Sequence, residues 1–329
     1  MTVPNSMRAA YIRETGGVER IEVGDLPTPK PGPTDVLIRM EATAVNHVDL
    51  FVRSGAYQTH TPFPFVIGRD IVGTVAAVGS GVAQFEPGDR VWCNSLGHAG
   101  RQGTFAEYAV APVERVYSLP EQVAAEDAAP VLHAGGTAFL GLFREANLTV
   151  GEMVFVAGAG GAVGSAVVQL ASTAGAHVVA TASRQDATWC RECGAETVVP
   201  YDAEDLDERL KAAAPNGFDV WWDNSGRNDF SRALPLMRQG GRVVVLAGLG
   251  ATPALPVGQL YVRDASLRGF AISNASVSDL ADAAEAMNDA LSRGLLRGRV
   301  GATYTLTDAA KAHAAMESGS VSGRIVVRP

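Results

Sequence analysis

The spacing of hydrophobic positions along the chain changes near residue 130. Before it, short apolar segments rich in β-branched residues, such as residues 35–45 and 70–79, are separated by Gly/Pro turns, a pattern typical of strands. After it, continuous apolar segments of strand length (EMVFVAGAG, HVVATAS, ETVVPY, GFDVWWDNSG, RVVVLAGLG) alternate with segments of helical period (AVGSAVVQLASTAG, ATWCRECG, DLDERLKAAAP, FSRALPLMRQGG). This alternation predicts a parallel sheet with helices on both faces.

The last 59 residues return to a mixed pattern, with an Ala-rich helix, a strand, a short helix and the strand GRIVV. They are too short to fold alone, and we expect them to complete the N-terminal domain. The sequence therefore predicts an α/β protein of two domains. One is β-rich and formed by residues 1–128 and 271–329, and the other is a doubly wound parallel-sheet domain formed by residues 129–270.

Composition and charge exclude several classes of function. The chain has 329 residues and a net charge of −8, whereas binding to nucleic acid or to an anionic membrane surface needs a basic face. No apolar run approaches the ~20 residues that span a bilayer, and the first residues lack the layout of a secretory signal. Three cysteines indicate a reducing compartment and no disulfide framework. We expect a cytoplasmic protein that acts on a small molecule.

The stretch VFVAGAGGAVGSAVVQLA, residues 154–171, combines a buried strand, a glycine-rich turn and an apolar helix. In this order Gly158 makes the tight turn and Gly164 lets helix and strand pack closely. Gly161, with the N–H groups of Ala162 and Val163, is expected to admit a pyrophosphate at the positive end of the helix. The turn therefore predicts a dinucleotide-binding domain.

The end of the next strand, HVVATASRQD, indicates which dinucleotide is bound. Ser183 and Arg184 stand where an NAD-binding domain carries an acidic residue. A hydroxyl and a guanidinium suit a 2′-phosphate, and Tyr201 is expected against that phosphate or the adenine. In the alternative, Arg184 is a solvated charge and Asp186 binds the ribose, although Asp186 is better placed to cap the following helix. The sequence favours NADPH.

Several of these segments together resemble the medium-chain dehydrogenase/reductase superfamily, and most closely its zinc-free quinone oxidoreductases. They are residues 8–57 and 65–92, the glycine-rich turn, and the terminal SGRIVV. The resemblance implies a GroES-like catalytic domain, a Rossmann domain with an active cleft between the two, and a homodimer joined through the Rossmann domains.

In zinc-dependent members of the superfamily the catalytic ion is held by Cys, His and Cys. Asn46, Arg69 and His133 stand at or near those positions here, and an amide, a guanidinium and one imidazole do not form a tetrahedral zinc site. We therefore expect no metal. Cys190 and Cys193 form a C-x-x-C pair, but at a helix C-terminus, where the dipole does not favour a thiolate, and they are expected to pack in the core.

The resemblance also places residues around the nicotinamide. Asn46 is expected to donate a hydrogen bond to the cofactor or to the acceptor oxygen, or else to stabilise a turn. Tyr57 lines the cofactor cleft and corresponds in region to a catalytic tyrosine of enoyl thioester reductases, or is a packing aromatic. Thr137 is expected at the start of a helix, where it either contacts the nicotinamide or only caps that helix. Backbone groups of three residues are expected to hold the carboxamide: Gly248, Leu249 and Phe270.

No Ser–Tyr–Lys triad or dedicated acid/base pair is found in these segments. A quinone that accepts a hydride becomes a stabilised anion that water can protonate, so strong general acid catalysis is unnecessary. The sequence therefore predicts a zinc-independent, NADPH-dependent quinone reductase. Two alternatives stay open: reduction of α,β-unsaturated carbonyls or enoyl thioesters, in which Tyr57 matters more, and an NADPH-binding protein without turnover.

Overall fold

A computed structural model describes residues 3–329 of the chain. These residues form two compact units, one of residues 3–133 and 276–329 and the other of residues 134–275. We call them the first and the second unit. The exact domain boundaries given above, at 128/129 and 270/271, stay a prediction.

The secondary structure elements are numbered in chain order. The strands are β1 (Ser6–Ile12), β2 (Glu22–Pro27), β3 (Asp35–Ala44), β4 (Phe65–Val66), β5 (Ile71–Val78), β6 (Arg90–Cys93), β7 (Tyr108–Pro112), β8 (Tyr117–Ser118), β9 (Met153–Ala157), β10 (His177–Ala182), β11 (Thr197–Pro200), β12 (Phe218–Asp223), β13 (Met237–Val245), β14 (Ser266–Gly269), β15 (Val300–Thr305) and β16 (Arg324–Arg328). The helices are α1 (His47–Ser54), α2 (Ala125–Ala128), α3 (Leu132–Phe139), α4 (Ala162–Thr173), α5 (Ala187–Glu192), α6 (Leu206–Ala213), α7 (Phe230–Ala233), α8 (Val257–Tyr261), α9 (Val277–Ser292) and α10 (Ala309–Ser318).

The first unit is built from two sheets around an apolar core. Strand β1 lies between β2 and β4, and a larger sheet runs β15-β16-β3-β5-β6-β8, with β7 also paired to β3. The last strand, β16, pairs antiparallel with the end of β3, with Val326 opposite Ala44. The C-terminal residues therefore complete the sheet of this unit.

The second unit contains a six-stranded sheet in the order β11-β10-β9-β12-β13-β14, with every pair parallel. The strand order reverses between β9 and β12. The chain continues from β9 toward one edge of the sheet and from β12 toward the other edge. In open α/β sheets, ligands bind at such a switch point, outside the carboxyl ends of the strands. The register aligns Ala157 with Thr181 on one side and with Asp223 on the other, which brings three strand ends together there.

One predicted helix in this unit is wrong over its last five residues. The segment FSRALPLMRQGG forms only the short helix α7 and one 3-10 turn, after which β13 begins at Met237. Pro235 lies in the 3-10 turn, where its missing N–H is tolerated, and it cannot sit in the middle of a longer α-helix. Met237 pairs with Phe218 of β12, and the pairing resumes at Arg242 after an irregularity, so a strand that is paired at both ends replaces the second part of the predicted helix.

Candidate functional site

The glycine-rich turn connects β9 to α4 in the second unit. Gly158 has φ +70, a backbone conformation that favours glycine. A Cβ on Gly164 would lie 2.8 Å from Ala159 Cα and closer still to the Gly158 carbonyl oxygen, so only glycine allows α4 to approach the turn this closely. Gly161 precedes the helix, and a Cβ there would meet only the Gly158 carbonyl oxygen, at 3.5 Å. The first turn of α4, with its N–H groups that have no acceptor within the helix, is thus open to an anion.

The end of β10 carries a carboxylate that faces this turn. Ser183 Oγ donates to Asp186 Oδ2 at 2.8 Å and accepts the Asp186 N–H at 3.2 Å. A Cβ on Gly160 would lie 2.7 Å from the Asp186 carboxylate. Asp186 does precede α5, but its side chain makes no capping bond to that helix, so the predicted capping role is wrong.

Arg184, the predicted partner of the 2′-phosphate, lies on the surface beside another acid. Its Nη2 is 3.6 Å from Asp202 Oδ1, and its side chain is 72% exposed. An ion pair this long and exposed contributes little to stability. The guanidinium is therefore positioned near the end of β10 without being held there.

A cavity of about 630 Å³ lies at the carboxyl ends of β9, β10 and β12. Its apolar wall includes Phe155, Trp221 and Phe230. Tyr201, which directly follows β11 and is 55% exposed, belongs to its lining, whereas Ser183 and Arg184 do not. The polar lining includes residues that the sequence reasoning missed: Thr181, Asp223, Ser225 and Arg227. The position of Asp223 at the end of a strand beside the switch point is the signal that would have found it.

Four of the residues expected around the nicotinamide lie in the second unit. Thr137 is the sixth residue of α3 and is buried, so it does not open that helix as expected. Gly248 has φ +89, and a Cβ there would lie 2.6 Å from the Gly226 carbonyl oxygen. Leu249 is 60% exposed. Phe270 packs edge-on against Trp222, with Arg144 5.7 Å from its ring centre.

In the first unit, Asn46 is the centre of a buried hydrogen-bond network. It precedes α1, and its N–H donates to Asp49 Oδ2 at 2.8 Å. Its side-chain Nδ2 donates to Asp70 Oδ2 at 2.9 Å and to the Ala44 carbonyl at 3.3 Å, while its Oδ1 accepts from Arg324 Nη2 at 2.6 Å. The amide is thus engaged on every side within the unit. This arrangement is that of the turn-stabilising alternative, and a catalytic role for Asn46 stays a prediction.

Burial controls the protonation of this network. It raises the pKa of Asp70 to about 8 and that of Asp49 to about 6, against hydrogen bonds from Asn46 that lower both. Burial, reinforced by Arg69 and Arg324, lowers the pKa of His133 to about 3. The region around Asn46 and His133 therefore holds two buried guanidinium groups, those of Arg69 and Arg324, and an imidazole that is neutral at neutral pH.

Tyr57 lies in the loop after α1, partly exposed, and its N–H donates to the Phe51 carbonyl at 3.0 Å. Its ring centre is 6.0 Å from that of His98, at an interplanar angle of 51°. The guanidinium of Arg69 interacts electrostatically with Tyr57. His98 belongs to a segment, residues 94–105, to which the sequence reasoning assigned no chemistry.

Within residues 3–329, no group of three His, Cys, Asp or Glu side chains is arranged to hold a metal ion. The three cysteines are buried, and none forms a disulfide in this part of the chain. No helix among the described residues is long and apolar enough to cross a membrane.

Comparison with known proteins places both units in known families. Residues 32–121 match the alcohol dehydrogenase GroES-like domain, and residues 162–289 match the zinc-binding dehydrogenase domain. The quinone oxidoreductase of Lama guanicoe is 31% identical over 325 residues, which cover 98% of this chain and 97% of that protein. The solved structure of an NAD-dependent alcohol dehydrogenase matches with a TM-score of 0.89 and a sequence identity of 32%. The structure of a mycobacterial protein complexed with NADPH matches with a TM-score of 0.85 and an identity of 30%. Each of the two alignments covers 98% of this chain and 100% of the other chain.

A GroES-like domain joined to a parallel-sheet dinucleotide-binding domain defines the medium-chain dehydrogenase/reductases, which are oxidoreductases. Both domains are present here, and the fold class predicted from the sequence is confirmed. Within this superfamily the chain belongs to the quinone oxidoreductase family.

Proposed function

We propose that this protein transfers a hydride from NADPH to a quinone and that no metal ion takes part. The observation that carries the proposal is the turn between β9 and α4, where Gly158 and Gly164 bring strand and helix close together and leave the N–H groups of the first helical turn accessible. The quinone oxidoreductases that match nearly the whole chain support the choice of acceptor.

The residues present fit a pyridine dinucleotide. The pyrophosphate would bind the N–H groups of Ala162 and Val163, and the cavity beside Tyr201 has room for the adenosine. Thr137 and the backbone of Gly248, Leu249 and Phe270 are proposed for the nicotinamide end. When bound, the reduced nicotinamide supplies the hydride.

The choice of NADPH depends on two opposing charges at the end of β10. Arg184 is free to turn from Asp202 toward a 2′-phosphate, because the ion pair is long and exposed. Asp186, bonded to Ser183, opposes a phosphate and suits the two hydroxyls of an unphosphorylated ribose. NADH is therefore the competing cofactor, and Asp186 is the observation that favours it.

A quinone needs little from the protein beyond position, because its reduced form is a stabilised anion. The buried guanidinium groups of Arg69 and Arg324 supply positive charge in the first unit without a metal. The second candidate is reduction of an α,β-unsaturated carbonyl, in which the enolate must be protonated. The position of Tyr57 favours it, since the residue is partly exposed after α1 with its ring 6.0 Å from that of His98, where a tyrosine hydroxyl can act as the proton donor.

The test combines binding and turnover. NADPH and NADH are titrated by fluorescence, and the wild type and Tyr57→Phe are then assayed with 1,4-naphthoquinone and 2-cyclohexenone. We expect tighter binding of NADPH and reduction of the quinone by both proteins. Turnover of the enone alone, abolished in Tyr57→Phe, would reverse the order of the two candidates, and no turnover with either acceptor would contradict both.

A homodimer formed through the second unit is part of the proposal. Strand β14 is the edge of its sheet, and Leu267 on it is exposed, as are Tyr261 and Val262 just before it. An open edge with exposed apolar side chains is suited to pairing with a second copy. Light scattering of the purified protein tests this arrangement.

A further inference from the structure

The loop that carries His98 is held in a strained conformation by the segment that follows Tyr57. Ala99 has φ +51, which is uncommon for a residue with a side chain. Thr59 Oγ1 accepts the Ala99 N–H at 2.8 Å, and the His60 carbonyl accepts the Gly100 N–H at 2.9 Å. These two bonds fix the loop beside Tyr57.

The same hydroxyl also contacts the ring of His98. Thr59 Oγ1 lies 3.0 Å from His98 Nδ1. This oxygen also accepts the Ala99 N–H, and in the tautomer with the imidazole proton on Nε2 its own proton is donated to Nδ1. Within residues 3–329 the structure gives Nε2 no hydrogen-bond partner, so this N–H is available to a ligand.

His98 is neutral at physiological pH. Partial burial lowers its pKa to about 4, and the positive charges of Arg69, Arg101 and Arg115 act in the same direction. A neutral imidazole can donate a hydrogen bond without giving up its proton. The three guanidinium groups around it also favour a ligand that becomes negatively charged.

We propose that His98 binds the carbonyl oxygen of the acceptor through Nε2–H, side by side with Tyr57. This inference rests on the proposed function and names the group that recognises its substrate. A hydride adds two electrons to the acceptor, the carbonyl oxygen becomes an oxyanion, and one proton from water or from the Tyr57 hydroxyl completes the reduction. The His98 donor stabilises the oxyanion as it forms and returns unchanged, as donors of an oxyanion hole do.

Three variants separate this role from a structural one. His98→Phe keeps an aromatic ring against Tyr57 and removes the donor, and His98→Gln restores an N–H donor. His60→Phe is the matched control, because only the backbone of His60 holds the loop. We expect His98→Phe to lower kcat for the quinone about 10- to 100-fold, since loss of one such donor costs up to about 10²–10³. His98→Gln should recover most of this loss, and His60→Phe should stay within about twofold of the wild type, with the Kd for NADPH unchanged in all three.

A second readout does not depend on turnover. With NADP⁺ bound, no hydride is available, and the infrared stretch of a ¹³C-labelled quinone carbonyl reports its hydrogen bonds. We expect a shift to lower frequency that is lost in His98→Phe, and a ¹⁵N spectrum that places the proton of His98 on Nε2. If the wild type reduces no acceptor but the shift is present and requires His98, the proposed function fails and this inference stands. An equal carbonyl frequency in wild type and His98→Phe, or a proton on Nδ1, overturns the inference whatever the turnover.

Discussion

Replacing Asp186 by asparagine is expected to shift cofactor preference toward NADPH by about tenfold. The Ser183 hydroxyl now donates to the Asp186 carboxylate at 2.8 Å, and a 2′-phosphate that took over this hydrogen bond would lie about 4 Å from the carboxylate. Two unit charges about 4 Å apart interact by ~1 kcal/mol in water and ~4 kcal/mol at the lower effective dielectric constant near a protein surface. A phosphate carries about −1.5 to −2, but the site is open to solvent, and about 1–2 kcal/mol of relieved repulsion is the reasonable expectation, about a tenfold change in Kd.

The assay is a fluorescence titration of NADPH and NADH at two salt concentrations. Asp186→Asn should bind NADPH more tightly and NADH more weakly, and added salt should reduce the first effect. Arg184→Ala should raise the Kd for NADPH about tenfold and leave the Kd for NADH unchanged. Asp202→Asn is the matched control, because it releases Arg184 without altering the charge beside the glycine-rich turn. If Arg184→Ala leaves the affinity for NADPH unchanged, the end of β10 does not bind a 2′-phosphate and the reasoning fails.

Other changes test separate parts of the molecule. Gly164→Ala places a Cβ against the backbone of the turn. We therefore expect the unfolding free energy to fall by about 1–3 kcal/mol and the binding of NADPH to weaken. Gly161→Ala is the control, because its Cβ has space, and its unfolding free energy should equal that of the wild type. His313 is fully buried and no partner for its ring nitrogens is found within residues 3–329, and burial, followed by Arg53, lowers its pKa to about 3. Between pH 6.5 and 3 the unfolded chain therefore binds a proton at this residue that the folded chain does not, so the unfolding free energy falls as the pH decreases. This contribution has a slope of about 1.4 kcal/mol per pH unit. Denaturant titrations of His313→Leu at several pH values should lack it. An unchanged slope would contradict this. Leu267→Asp should reduce the molar mass measured by light scattering from that of a dimer to that of a monomer, and a dimer that persists would exclude β14 as the interface.

Local patterns predicted most of the fold correctly. The strand β9, the turn and the helix α4 lie where the apolar runs and glycines of residues 154–171 indicate, because hydrophobic period and glycine conformation are properties of neighbouring residues. The prediction failed from Met237 to Gly241, which lie in β13 between its pairings with β12 at Met237 and at Arg242. It also misplaced Thr137, which lies inside α3.

Side-chain roles at the candidate site were predictable only where a single segment contains every partner. The contacts of Asn46 come from Asp49 in its own helix, from Asp70 and from Arg324 near the C-terminus. No spacing in the sequence relates these residues, because strand pairing across the first unit brings them together. The amide that seemed available to a ligand is therefore engaged in the fold.

The sequence alone determined the two-domain α/β architecture and the dinucleotide-binding turn, because both depend on periodicity and on backbone freedom over a few residues. Tertiary structure decided that Asp186 turns toward Gly160 and that Thr59 orients His98 beside Tyr57. The physical reason is the range of the interactions. Hydrogen bonds and charges between segments depend on where each loop is packed, and that position depends on the whole sheet to which the loop is attached.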